Sequence, residues 1–161
     1  MSGKVKPIPE GYHTATPYLI VKGAAEAIDF YKKAFGATEL MRMGDGKTIH
    51  HAEIKIGTSP IMLADEHIDM KALSPATLGG SPITIMLYVE NVDALFDQAV
   101  AAGAIVERPL ANQFYGDRTA GLVDPFGHKW YIATHIEDVP HDELQKRAEA
   151  MQKQHAGAGA K

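Results

Sequence analysis

His51 and Glu53 stand two apart in an alternating stretch, His50 to Ile56, that reads as a strand. Side chains at i and i+2 of a strand share a face, so an imidazole and a carboxylate are set side by side, an arrangement suited to moving a proton. The same pair could supply two ligands to a metal, with His13 or His135 as a third. The chain's eight histidines are scattered, however, with no HExxH or similar spacing, and the sequence assigns no metal. The plainer reading is an exposed polar strand face. A second constellation is Tyr115-Gly116-Asp117-Arg118. An arginine beside an aromatic residue can hold a carboxylate or phosphate and stack on a flat ligand. Its plainer reading is a surface turn with Arg118 paired to Asp117 or another acid. There are no cysteines, which excludes disulfides, thiolate catalysis and Cys-ligated metal.

The elements that must position these residues come in two copies. Thr14 to Val21 reads as a strand in which Pro17 implies an edge or a bulge, because proline cannot donate to a ladder. Ala24 to Phe35 carries apolar residues at helical spacing and ends at Gly36. Thr38 to Met43, His50 to Ile56 and Pro60 to Ala64 follow as three strands. After a connector, residues 65–82, the order restarts: Ile83 to Val89 is a strand, Asn91 an N-cap, Val92 to Val100 a helical stripe and Gly103 its cap. Thr119 to Val123, the turn Asp124-Pro125-Phe126-Gly127 and Lys129 to Thr134 then form a hairpin. Along its second strand Trp130 and Tyr131 face opposite ways, Trp130 toward packing. An offset of 68 positions (84 − 16) lays Thr16 on Thr84, Leu19 on Leu87, Val21 on Val89 and Ala52 on Ala120. The chain therefore divides into an arm (1–11), a first βαβββ module (12–64), the connector, a second module (83–136), and a C-terminal helix with a disordered tail (137–161). The fold class is α+β.

Composition narrows the function. A net charge of -4 without clustered Lys or Arg argues against nucleic acid, and no apolar run is long enough to span a membrane. The N-terminus lacks the apolar core of a signal peptide, so a cytoplasmic location is expected. No Gly-rich nucleotide-binding loop follows a strand, and no cofactor is expected.

The paired modules, the Ile28-Asp29-Phe30-Tyr31 run with Phe35-Gly36 behind it, and Asp124-Pro125-Phe126-Gly127 before the last strand resemble the vicinal oxygen chelate superfamily, and within it the branch called PhnB-like or glyoxalase/bleomycin-resistance-like. The resemblance implies two curved sheets around a cavity, usually completed by dimerisation, so a homodimer binding a small molecule is expected. Tyr115-Gly116-Asp117-Arg118 resembles the aromatic-Gly-x-Arg run of bleomycin-resistance proteins, which sequester a drug without metal. Metal enzymes of the superfamily place ligands at four points, which carry over here to Thr16, Thr84, Met62 and Tyr131, poor donors for a divalent ion. With Tyr18 and Met86 these residues would line the cavity, although methionines equally fill cores. The resemblance thus favours a metal-independent binder of a small anionic or aromatic compound. The alternatives are a glyoxalase-type metal-dependent lyase or isomerase, and metal-free acid/base chemistry on a carbonyl compound through His51 or Glu53. The methyltransferase label sometimes attached to this branch lacks its nucleotide loop.

Overall fold

The computed structural model describes residues 5–158, with side chains to 154; the first four positions of the arm and the last three of the tail lie outside the described residues. The first unit runs β1 (Tyr18–Val21), α1 (Ala24–Phe35), β2 (Thr38–Gly44), β3 (Ile49–Ile56) and β4 (Ser59–Asp65). The second runs β5 (Thr84–Tyr88), α3 (Val92–Ala102), β6 (Ile105–Asn112), β7 (Asp117–Val123) and β8 (Lys129–His135), after a short helix α2 (Pro75–Leu78) in the connector. Each unit folds into a four-stranded mixed sheet, in the orders β1-β4-β3-β2 and β5-β8-β7-β6. In both, the first strand pairs parallel with the last and the other pairings are antiparallel. The α+β class and the duplicated unit are the observed architecture.

The two copies fix their helices the same way. Asp65 Oδ1 accepts from the backbone N–H groups of Gly23 and Ala24 at 2.9 and 2.8 Å, satisfying donors that the start of α1 leaves without partners. In the second copy Thr134 Oγ1 accepts from Val92 N at 2.8 Å, and Asn91 caps α3 through Ala94 N. Asp65 closes β4 and Thr134 lies near the end of β8, so last strand and helix start are tied in both units.

The units share one core. Trp130, fully buried, packs its ring 4.7 Å from Phe35 and 5.4 Å from Tyr31, which come from the helix of the other unit. Asp124, 2% exposed, sits at the junction. Its Oδ1 accepts from Phe126 N and His128 N, both at 2.9 Å, and its Oδ2 from Tyr31 Oη at 2.7 Å and Trp130 Nε1 at 2.8 Å. A buried carboxylate is tolerable because four donors meet it.

One expectation is corrected. β1 begins at Tyr18 rather than Thr14: Pro17 has no N–H to give, and only its carbonyl joins the sheet, accepting from Met62 N at 2.9 Å. The connector, residues 65–82, carries short elements of its own. It holds a 3-10 turn at Ile68–Met70 and α2, capped by Ser74 and packed so that a Cβ on Gly127 would lie 2.8 Å from Pro75 Cβ. The final helix is α4 (His141–Ala158), and the rest of the expected tail lies outside the described residues.

Candidate functional site

Register places two rows of side chains on the sheet faces turned away from α1 and α3. Across the first sheet Tyr18 pairs with Met62, Met62 with Glu53, and Glu53 with Met41. Across the second, Met86 pairs with Tyr131, Tyr131 with Gly121, and Gly121 with Arg108. The repeat offset brings Tyr18 onto Met86 and Glu53 onto Gly121.

A trough joins the rows. One cavity, about 530 Å³, lies between β1 and β5 and is lined by Thr16, Tyr18, Ile83, Thr84, Met86 and His128. A second, about 420 Å³, shares Thr84 and Met86 and continues to Arg108, Gly121 and Tyr131.

At the first-unit end the polar groups form a chain. The Tyr18 hydroxyl lies 2.8 Å from His51 Nδ1, His51 Nε2 lies 3.1 Å from Glu53 Oε1, and the Tyr12 hydroxyl donates to Glu53 Oε2. Hydrogen bonds from Tyr12 and His51 hold the Glu53 carboxyl below its ordinary range. An ionised Glu53 needs a donor from Nε2, which leaves Nδ1 of neutral His51 to accept from Tyr18. Loss of solvent around the hydroxyls, then the Glu53 charge, raises Tyr18, and Tyr12 is pushed up to about 12 by the same desolvation and by its bond to Glu53. Both phenols are therefore donors at neutral pH.

At the second-unit end the Tyr131 oxygen is the focus. Thr119 Oγ1 donates to it at 3.1 Å, and Tyr115 and the Arg108 guanidinium lie near it. Burial pushes this phenol up, but these three groups outweigh it and bring Tyr131 below its ordinary range. Tyr115, half-buried beside it, is pushed up to about 12, first by loss of solvent and then by Tyr131.

Arg118 stands apart from both groups. It shares a strand face with Ala120 and Leu122, which are buried against the helices, and its guanidinium is taken by Asp93 on α3 at 2.7 and 2.8 Å and by Asn112 at 3.0 Å. The acid it pairs with is not the neighbouring Asp117. That carboxylate accepts instead from Tyr88 Oη at 2.7 Å and bonds His135 Nδ1 at 2.7 Å, while His135 Nε2 meets Asp138 at 2.9 Å.

The usual metal points of the fold were tested by their chemistry. Thr16, Thr84, Met62 and Tyr131 offer three hydroxyls and a thioether, a set that does not fit a borderline divalent ion. His13 and His135 do not complete a set around His51 and Glu53: no group of three or more His, Cys, Asp or Glu among the described residues is arranged to hold a metal.

Tyr12, Arg108, Thr119 and Gly121 were not singled out from sequence. The repeat offset carries the signal for Gly121, since it falls on Glu53. Arg108 sits in a strand, β6, whose exposure follows no two-residue alternation.

The chain was compared with known proteins. A family model, the Glyoxalase/Bleomycin resistance protein/Dioxygenase superfamily, matches residues 12–132. The chain belongs to this superfamily. Within it, the uncharacterized protein Rv0887c of Mycobacterium tuberculosis is 46% identical over 135 residues, which cover 81% of this chain and 79% of that protein. The uncharacterized protein At5g48480 of Arabidopsis thaliana is 32% identical over 117 residues, 67% of this chain and 69% of that one. Its crystal structure superposes with a TM-score of 0.62 at 27% identity over 76% of this chain and 98% of that one. The two identities differ because the structural superposition aligns a different span. The PhnB protein of Bacillus cereus has a TM-score of 0.58 at 19% identity over 76% of this chain and 99% of that one, a likeness of fold. Superfamily membership fixes the scaffold, and the same scaffold hosts unrelated chemistries.

Proposed function

We propose that this superfamily member binds a small organic molecule in the trough between β1 and β5, without a metal at the superfamily's usual points. The carrying observation is the donor set, Thr16, Thr84, Met62 and Tyr131, on the faces of a trough whose larger cavity measures about 530 Å³. That size suits a drug-sized or smaller ligand, and Tyr18 and Met86 give it an aromatic and adaptable apolar wall. The testing experiment is a small-molecule screen by thermal shift, read with metal content on the purified protein. Binding to the native state raises the midpoint by mass action. A hit whose effect is lost in Thr84→Leu and Met86→Ala supports the reading. Stoichiometric zinc, nickel or iron would instead restore the glyoxalase-type metal-dependent lyase or isomerase.

We also take the functional form as a homodimer. Ile83 and Tyr88, beside and within the edge strand β5, and Ile105 on β6 are 69%, 64% and 64% exposed, apolar side chains that a second copy would cover. Sedimentation velocity decides it, and a monomer at micromolar concentration ends this part of the proposal.

A second reading rests on the Tyr18–His51–Glu53 chain. A Tyr18 oxygen that takes a proton from carbon next to a carbonyl could pass its own to His51 Nδ1, with the Glu53 charge stabilising the imidazolium. No metal enters this step. Its test is solvent deuterium incorporation into acidic carbonyl compounds, with loss in both Tyr18→Phe and His51→Ala as the supporting result.

A further inference from the structure

The two cross-strand rows, built on equivalent strands, carry opposite chemistry at their third places. In the first unit the third place of the cross-strand row is Glu53, a carboxylate already held by Tyr12 and His51. In the second unit the same place is Gly121. A Cβ there would lie 3.1 Å from Arg108 Cβ and 3.3 Å from its Cγ, so the missing side chain is what lets the arginine stem lie across the strand. Gly121 does not have a positive φ; its smallness, rather than its conformational freedom, matters here.

Arg108 also differs from the other arginines. Arg42 pairs with Glu39, Arg118 with Asp93, and Arg147 with Glu137 and Glu143. Arg108 has no carboxylate partner among the described residues. Glu107, the nearest acid in sequence, is engaged by Lys129 at 2.6 Å, which also removes that lysine as a competing free cation at the rim. The guanidinium instead shares a cavity with Gly121 and the Tyr131 phenol, whose oxygen takes Thr119 Oγ1 at 3.1 Å. Thr119 takes up one lone pair of that oxygen, which leaves the phenol's own proton for an acceptor supplied from the trough. A guanidinium fork with an adjacent hydroxyl donor, on a partly apolar wall, matches an oxyanion attached to an apolar body.

We infer that Arg108 and Tyr131, supported by Tyr115 and Thr119 and made room for by Gly121, form a subsite for an oxyanion, a carboxylate or phosphate, at one end of the ligand. The inference rests on the trough being the binding site and adds the ligand's charge and direction to it. The anionic end lies under β6 and β7, and the rest of the molecule runs over Met86 and Thr84 toward β1.

The experiment uses benzoate, phenyl phosphate and the neutral benzamide as probes, followed by amide chemical shifts on the full chain and on Arg108→Met and Gly121→Glu. Arg108→Met keeps the length of the stem and removes the charge. Gly121→Glu gives Arg108 the carboxylate that the first unit carries. The expected result is that at least one anion binds about tenfold or more tightly than benzamide. Its largest shifts fall at Gly121 and Tyr131, and in both variants the ratio of anion to benzamide affinity falls to about one. A preference for one anion over the other names the headgroup. Equal affinity for anions and benzamide overturns the inference, as does an anion advantage that survives Arg108→Met. Anions that leave Gly121 and Tyr131 unmoved at about 10 mM also overturn it, a concentration well above the millimolar constants expected of such fragments. In that case benzamide shifts at Thr16 and Thr84 leave the trough reading standing, and their absence removes both.

Discussion

The Tyr31 hydroxyl donates to Asp124 Oδ2 at 2.7 Å, joining the helix of the first unit to the hairpin turn of the second across 93 positions of sequence. Both groups are buried, and burial followed by the Asp124 charge pushes Tyr31 well above its ordinary range. The bond is therefore present at every pH at which the protein is folded with Asp124 ionised.

Asp124→Ala strips the acceptor from a phenol, an indole and two backbone amides at once, leaving buried donors unpaired. A loss of roughly 3 to 5 kcal/mol is expected by urea unfolding. Tyr31→Phe removes one donor of four and should cost about 1 to 2 kcal/mol. An Asp124→Ala loss no larger than that of Tyr31→Phe would show that the carboxylate is not the common anchor.

Gly127→Ala tests the seam between hairpin and connector. Gly127 has φ 89, a conformation L residues avoid, and the new methyl would sit 2.8 Å from Pro75 Cβ. Both effects destabilise, together by roughly 1 to 3 kcal/mol. Because α2 is the contacted element, amide exchange should speed up across residues 75–79 before it does in α1.

His135 gives a pH dependence with a definite sign. Hydrogen bonds first to Asp117 and then to Asp138 raise its pKa above 6.5. A raised folded value means that the charged imidazolium stabilises fully below 6.5 and that this contribution fades as pH climbs through the folded value. Relative to His135→Gln, the wild-type midpoint should thus fall as pH rises above 6.5, by a modest amount because the ring is half exposed. A difference that grows with pH would contradict the pairing.

Glu53→Gln should reverse the tautomer of His51. With the carboxylate present, Nε2 carries the proton and Nδ1 accepts from Tyr18; an amide can donate to Nε2 and move the proton to Nδ1. Ring nitrogen shifts read this directly. Unchanged shifts in the variant would mean that Glu53 does not orient the imidazole. Glu53 itself, held below its ordinary carboxyl range, contributes stability above about pH 4.5 that is lost as pH falls through its folded value.

Much of the scaffold was legible because each cue was local or periodic. The stripe from Ala24 to Phe35 and the cap at Gly36 define α1 to the residue, and the alternation of Trp130 and Tyr131 assigns them to opposite faces of β8. Reading failed where pairing is non-local. Thr14 to Pro17 has strand-like composition, yet the β4 ladder begins at Tyr18, with Pro17 contributing only a carbonyl. For the site, His51 and Glu53 were visible as an i, i+2 pair, but their partner Tyr12 lies 41 positions from Glu53 in a segment with no periodicity. The arginine nearest the hairpin, Arg118, drew attention over Arg108 because sequence proximity is easy to see and strand face is not. A single residue of register separates a guanidinium in the trough from one against a helix.

Tyr12 has a further consequence for any ligand that reaches toward β3. Its phenol already occupies the free oxygen of Glu53, so Tyr12 behaves as a resident competitor in its own chain. A molecule that uses that carboxylate must first evict the phenol, and its apparent affinity is lowered by the cost of that eviction. Shortening or extending the chain ahead of Tyr12 would then tune binding at a distance from every residue of the trough, by changing how readily the occupant leaves.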